Sequence, residues 1–184
     1  MVSAGAAEAS VRSSARSGTR DEASQRAWRV AAAVTDPEIP VLTIEDLGVL
    51  RAVAVDARSE AVRVTITPTY SGCPAMDAIR DDLVLALTAA GYADVRVDLV
   101  LAPAWTTDWM SDVGRDKLRR FGIAPPSGLA PAREAGPVRV QLAVKCPRCD
   151  SLRTREIARF GSTSCKALFE CLDCLEPFDS FKVL

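Results

Sequence analysis

At 184 residues with a formal net charge of −1, the chain is long enough for one ordinary domain plus a small module. Its charge balance steers it towards neither nucleic acid nor an anionic membrane. Its hydrophobic content of 48% indicates a real buried core, yet every apolar run is broken by Asp, Arg or Pro well short of the roughly 20 residues a membrane span needs.

The first twenty residues are rich in Ala, Ser and Arg and lack the apolar stretch of a secretory signal. A cytoplasmic location is therefore expected, with residues 1–22 as a disordered tail. From Ala23 to Val34 the apolar positions Ala27, Val30, Ala31 and Val34 recur at helical spacing, and Asp36-Pro37 ends that helix. Glu38 to Leu47 reads as a loop with room for a single turn capped by Thr43. Val49 to Asp56 and Ala61 to Thr67 alternate as strands do, with Arg58-Ser59 as the turn between them.

Pro74 takes the first turn of a helix whose apolar face is Met76, Ile79, Leu83 and Leu87, and Gly91 ends it in the left-handed conformation. Val95, Val97, Leu99 and Leu101 make a third strand, parallel to the second because a helix crosses between them. A last helix runs from Val113 to Phe121 behind Asp108 or Ser111 as N-cap. The expected class is α+β, a three-stranded mixed sheet with helices over residues 23–126, followed by a linker at 127–141 and a small β zinc ribbon at 142–184.

Cys146-Pro147-Arg148-Cys149 and Cys171-Leu172-Asp173-Cys174 are two C-x-x-C pairs separated by 21 residues, close to zinc-ribbon spacing. With no histidine in the chain, the site is all thiolate. Two hairpins, Arg153 to Phe160 and Ala167 to Glu170, should carry the two knuckles. A structural Zn²⁺ is favoured over three competing readings. A rubredoxin-like iron site prefers Gly where Asp150 and Leu175 follow the pairs, disulfides require an oxidising compartment, and redox work needs one C-x-x-C beside a βαβ unit. Residues 142–184 hold seven basic and six acidic side chains, and a thiolate-bound Zn²⁺ adds about −2, so nucleic-acid binding is not expected. Phe160, Phe169, Phe178 and Phe181 should form the ribbon's own core, separate from that of the first domain.

Cys73 lies where a helix begins, and the N–H groups there would favour a thiolate. It could equally be a small residue filling a gap. Asp36 and Glu38 are either further ligands beside it or capping groups. Cys165 has no place among the four zinc ligands. The polar turn Gly161-Ser162-Thr163-Ser164 would project it at the rim, with Lys166 favouring a thiolate and Cys73 or another protein as its contact, unless it only packs the ribbon wall. Trp105 and Trp109 divide between core and an exposed patch. Without histidine or a Gly-rich phosphate loop, catalysis by this chain alone is the weaker hypothesis.

Residues Asp36 to Pro40, Thr67 to Pro74 and Ala104 to Met110 resemble the MIP18 family, or domain of unknown function 59, whose members assist iron–sulfur cluster assembly. With Cys146 to Cys149, Phe160 to Ala167 and Cys171 to Lys182 added, the chain is similar to the PaaD family of phenylacetate degradation proteins, which are subunits of phenylacetyl-CoA epoxidases. The resemblance implies an accessory subunit of a bacterial monooxygenase complex in aerobic phenylacetate breakdown, partnered by oxygenase and reductase subunits. It implies maturation of their iron or iron–sulfur centres, with such a group held transiently and Cys73 at the family's reactive-cysteine position. A structural adaptor that handles no metal is the alternative. Relatives carry a further cysteine where this chain has Val183.

Overall fold

The structure, a computed structural model, describes residues 22–56, 58–126 and 144–183. Of the expected tail only Glu22 is among them, and the expected linker at 127–141 lies outside them. Helix α1 spans 22–32 and buries Ala27, Ala31 and Ala32. The chain then folds back on itself: Asp36 N–H donates to Leu42 O at 2.9 Å and Ile44 N–H to Val34 O at 2.9 Å. This irregular stretch is not a surface loop, because Ile39, Leu42, Ile44 and Leu47 all drop into the core. Thr43 does cap a turn, and reciprocally: Asp46 N–H donates to Thr43 Oγ1 and Thr43 N–H to Asp46 Oδ2, both at 3.0 Å.

Strands β1 (Leu50–Val55) and β2 (Val62–Ile66) pair antiparallel, and β3 (Val95–Leu99) pairs parallel to β2. Between β2 and β3, helix α2 (Ala75–Ala89) lays Met76, Ile79, Leu83 and Leu87 on the sheet and ends at Gly91, with φ +99°. Helix α3 (Asp112–Phe121) is capped by Ser111, whose hydroxyl accepts from Gly114 N–H. Mixed sheet, crossover and caps are as the sequence predicts.

The Trp segment clamps the start of β1. Trp105 Nε1 donates to Leu47 O at 2.9 Å, the Arg51 guanidinium lies 3.5 Å from the centre of the Trp109 ring, and Trp105 is buried while Trp109 is half-buried. Gly48 permits this approach. Its φ is +69°, and a Cβ there would sit 2.5 Å from Trp109 O and 2.6 Å from Trp109 Cβ. Gly48→Ala should therefore destabilise the domain by about 2–4 kcal/mol in chemical denaturation, strain and overpacking together. Gly91→Ala, with a similar φ but nothing within 4 Å, should lose only about 1 kcal/mol. Equal losses would show that the close approach contributes nothing.

The ribbon is a second antiparallel sheet of β4 (Thr154–Ala158), β5 (Lys166–Cys171) and β6 (Pro177–Phe181). The expected hairpins contain β4 and most of β5, and β6 is an addition to them. The expectation of separate cores is overturned. Cys165 and Phe181 of the ribbon belong to the first domain's core, and Ala124 of the first domain belongs to the ribbon's. Ala124 bridges to Ser180 as an added strand residue, donating to Asp179 O at 2.8 Å and accepting from Phe181 N–H at 2.9 Å. Only Phe169 and Phe178 stack inside the ribbon, 6.0 Å apart. Phe181 packs on Trp105 at 6.1 Å, and Phe160 stays 68% exposed beneath the Lys182 ammonium.

Candidate metal centre and interdomain thiol site

Each C-x-x-C pair closes a tight turn. Asp150 N–H donates to Cys146 O and Leu175 N–H to Cys171 O, each at 3.0 Å, and the residue after each pair, Asp150 or Leu175, takes φ 61°. The left-handed turn that glycine would favour is thus made by other residues. The four sulfurs lie within 4.8 Å of one another, with Cys146 to Cys174 at 3.8 Å and Cys149 to Cys171 at 3.5 Å. A tetrahedron with Zn–S bonds of about 2.3 Å has sulfur–sulfur edges of about 3.8 Å, so the four thiols fit Zn²⁺ without rearrangement.

Protons are shared unevenly among these sulfurs. Cys171, which accepts from the Cys174 N–H and is helped by the Asp173 N–H and the side chains of Cys149 and Cys174, is lowered to about 6. Cys149 accepts from the Ser151 N–H, yet its neighbours Cys171, Cys174 and Cys146 together with burial push it up to about 12. A divalent cation relieves that conflict by stabilising every thiolate at once.

The second constellation spans the two domains. The Asp36 carboxyl, 8% exposed, accepts from Glu38 N–H and Ile39 N–H through Oδ1, each at 2.8 Å. It therefore caps the turn, the second of its two readings from the sequence. Burial raises its pKa against the pull of those N–H groups and of Lys166. Glu38, half-buried, is raised by burial and by Asp36 and drawn down by Lys166.

Cys73 is half-buried in the turn before α2, with Ala75 N–H directed at its sulfur as the helix start predicts. The expected thiolate does not follow. Burial raises its pKa first, Glu38 and Asp36 add to this, and the N–H of Ala75 and the Tyr70 side chain do not offset it. Cys165 is corrected in the same way. It lies 6% exposed in the interdomain core rather than at a rim, and burial keeps it a thiol despite Thr163 and Lys166. Its partner is Thr163 Oγ1 at 3.0 Å from the sulfur.

Asp36, Glu38, Cys73 and Cys165 are therefore gathered into one region. Glu38 and Asp36 act on both thiols. Among the described residues, however, the tight metal-ligand group is that of the four ribbon cysteines. Sequence reasoning gave no role to Tyr70, whose phenol interacts with the ribbon's Ser164 and with Cys73. It also placed Lys166 only as a neighbour of Cys165. Tyr70 was at least inside the motif around Cys73, whereas the burial of Lys166 has no local signal.

A family model for an iron–sulfur cluster assembly protein matches residues 25–103, and one for the PaaD zinc beta ribbon domain matches residues 130–182. Fold and site define an iron–sulfur-assembly-type domain carrying a zinc ribbon. The chain is 46% identical over 157 residues to an Escherichia coli (strain K12) protein named as a subunit of 1,2-phenylacetyl-CoA epoxidase, a match that covers 85% of this chain and 91% of that one. It therefore belongs to the PaaD family of phenylacetyl-CoA epoxidase subunits. It is also 40% identical over 85 residues to the Fe-S protein maturation auxiliary factor of Porphyromonas gingivalis (strain ATCC BAA-308 / W83), covering 46% of this chain and 79% of that one. The crystal structure of a Domain of Unknown Function DUF59 from Bacillus anthracis superposes with a TM-score of 0.51 at 25% identity, over 55% of this chain and 96% of that one. Among the described residues no helix is long and apolar enough to cross a membrane.

Proposed function

We propose that this chain is an accessory, non-catalytic subunit of a phenylacetyl-CoA-epoxidising monooxygenase, and that it helps to load iron or iron–sulfur centres into its oxygenase and reductase partners. Its ribbon holds one structural Zn²⁺ on Cys146, Cys149, Cys171 and Cys174, and Cys73 with Asp36 and Glu38 handles the cargo. The observation that carries this reading is the convergence of Cys73, Asp36, Glu38 and Cys165 at the boundary where the ribbon docks. A thiol held in its protonated form takes up a cation by giving up its proton. Glu38 is the carboxylate beside it with a raised pKa.

Cys73→Ala tests the reading in cells that produce the whole complex. Iron content of the purified oxygenase and reductase subunits should fall at least several-fold, while zinc in the variant stays at one per chain. That these side chains do not form a tight ligand group favours a second reading, a structural adaptor that docks the two partners. Full iron loading by the Cys73→Ala chain would establish the adaptor and sink the loading factor.

A further inference from the structure

Lys166 opens β5, and its side chain is only 5% exposed. Lysine is almost never buried so fully unless it is paired. Its ion-pair partner within the ribbon is Asp179 on β6, at 3.8 Å from Nζ, which is too long for a direct hydrogen bond. Asp179 is meanwhile occupied by Ser162, whose hydroxyl donates to Oδ2 at 2.7 Å. The ammonium also acts across the domain boundary on Asp36 and Glu38, favouring both carboxylates.

The backbone prevents Lys166 from simply withdrawing. Its carbonyl accepts from Gly161 N–H at 2.8 Å, its N–H donates to Thr163 O at 3.1 Å, and it stands opposite Phe181 in the ladder. Phe181 is itself anchored on Trp105. One cation supplied by the ribbon therefore faces carboxylates of the first domain in the same region as two thiols.

We propose that Lys166 is the standing countercharge of the Asp36–Glu38 pair and that Fe²⁺ enters this interdomain site only by displacing its ammonium from those carboxylates. This rests on the cargo-handling reading above and adds to it. The zinc ribbon sets how tightly the first domain holds its cargo, keeping the grip weak enough for transfer.

The test is an anaerobic calorimetric titration of Fe²⁺ into the zinc-loaded full chain. Removing a nearby like charge favours a divalent cation, so Lys166→Met should bind Fe²⁺ at least about tenfold more tightly than the unaltered chain. Damage to the site would weaken binding, so the sign separates the two effects. A folded Lys166→Met chain with unchanged or weaker Fe²⁺ affinity overturns the proposal.

Asp179→Asn decides the matter if Lys166→Met does not fold with its zinc. It leaves the ammonium more fully to Asp36 and Glu38 and should weaken Fe²⁺ binding several-fold, and unchanged or tighter binding overturns the proposal. Cys73→Ala and Asp36→Asn in the same titration separate the two levels. Fe²⁺ binding that depends on these residues but not on the charge at 166 defeats only the countercharge. Binding indifferent to all of them defeats the cargo site and the countercharge with it.

Discussion

Cys171→Ser should cost the ribbon its zinc, unfold residues 144–183 and lower the melting temperature of the preceding domain as well. The first two effects follow from size. The ribbon's interior is built from Ala124, Cys146, Ala167, Phe169, Cys171 and Phe178, of which two are metal ligands and one comes from the other domain. Such a module buries too little apolar surface to fold unaided, whereas a structural Zn²⁺ contributes about 10–16 kcal/mol in comparable small domains. The third effect follows from Cys165 and Phe181, which leave the first domain's core when the ribbon unfolds. Elemental analysis and calorimetry of the variant would check this. Wild-type zinc content would sink the ligand assignment, and zinc loss with an unchanged melting temperature of the first domain would sink the coupling.

Phe181→Ala should destabilise the protein by about 3–5 kcal/mol, as truncation of a buried aromatic ring commonly does. The ring is 2% exposed and meets Trp105 at 6.1 Å with the planes inclined by 50°, a tilted arrangement that adds to simple burial. Its loss opens the space beside the buried hydrogen bond from Trp105 to Leu47 O. Tryptophan emission should therefore shift to the red as water reaches Trp105. Phe160→Ala is the control on the same module. Phe160 is exposed with Lys182 4.1 Å from its centre, so its removal should lose under about 1 kcal/mol. If the two variants unfold at the same denaturant concentration, Phe181 is not an anchor between the domains.

The first domain was legible because its signals are local. The alternation in Val62–Ile66, the helical spacing of Met76, Ile79, Leu83 and Leu87 and the stop at Gly91 each occupy one element. The four-cysteine group was legible for the same reason, since each C-x-x-C pair makes its own turn. Strand β6 was not legible because it begins at Pro177 and its buried positions, Phe178, Ser180 and Phe181, follow no strict alternation. Their pattern reflects the two different surfaces that β6 covers.

By itself the sequence determined the mixed sheet, the order of its elements, the knuckles and the candidate ligands, because period, turn chemistry and cysteine spacing act over a few residues. Only the tertiary structure decided that the ribbon docks through Phe181 and Ala124, that Lys166 is buried against Asp36 and Glu38, and that Cys73 and Cys165 remain thiols. The reason is desolvation. A helix start favours a thiolate and a neighbouring lysine favours another, but both effects are outweighed once a second domain removes water and brings carboxylates to the same sulfurs.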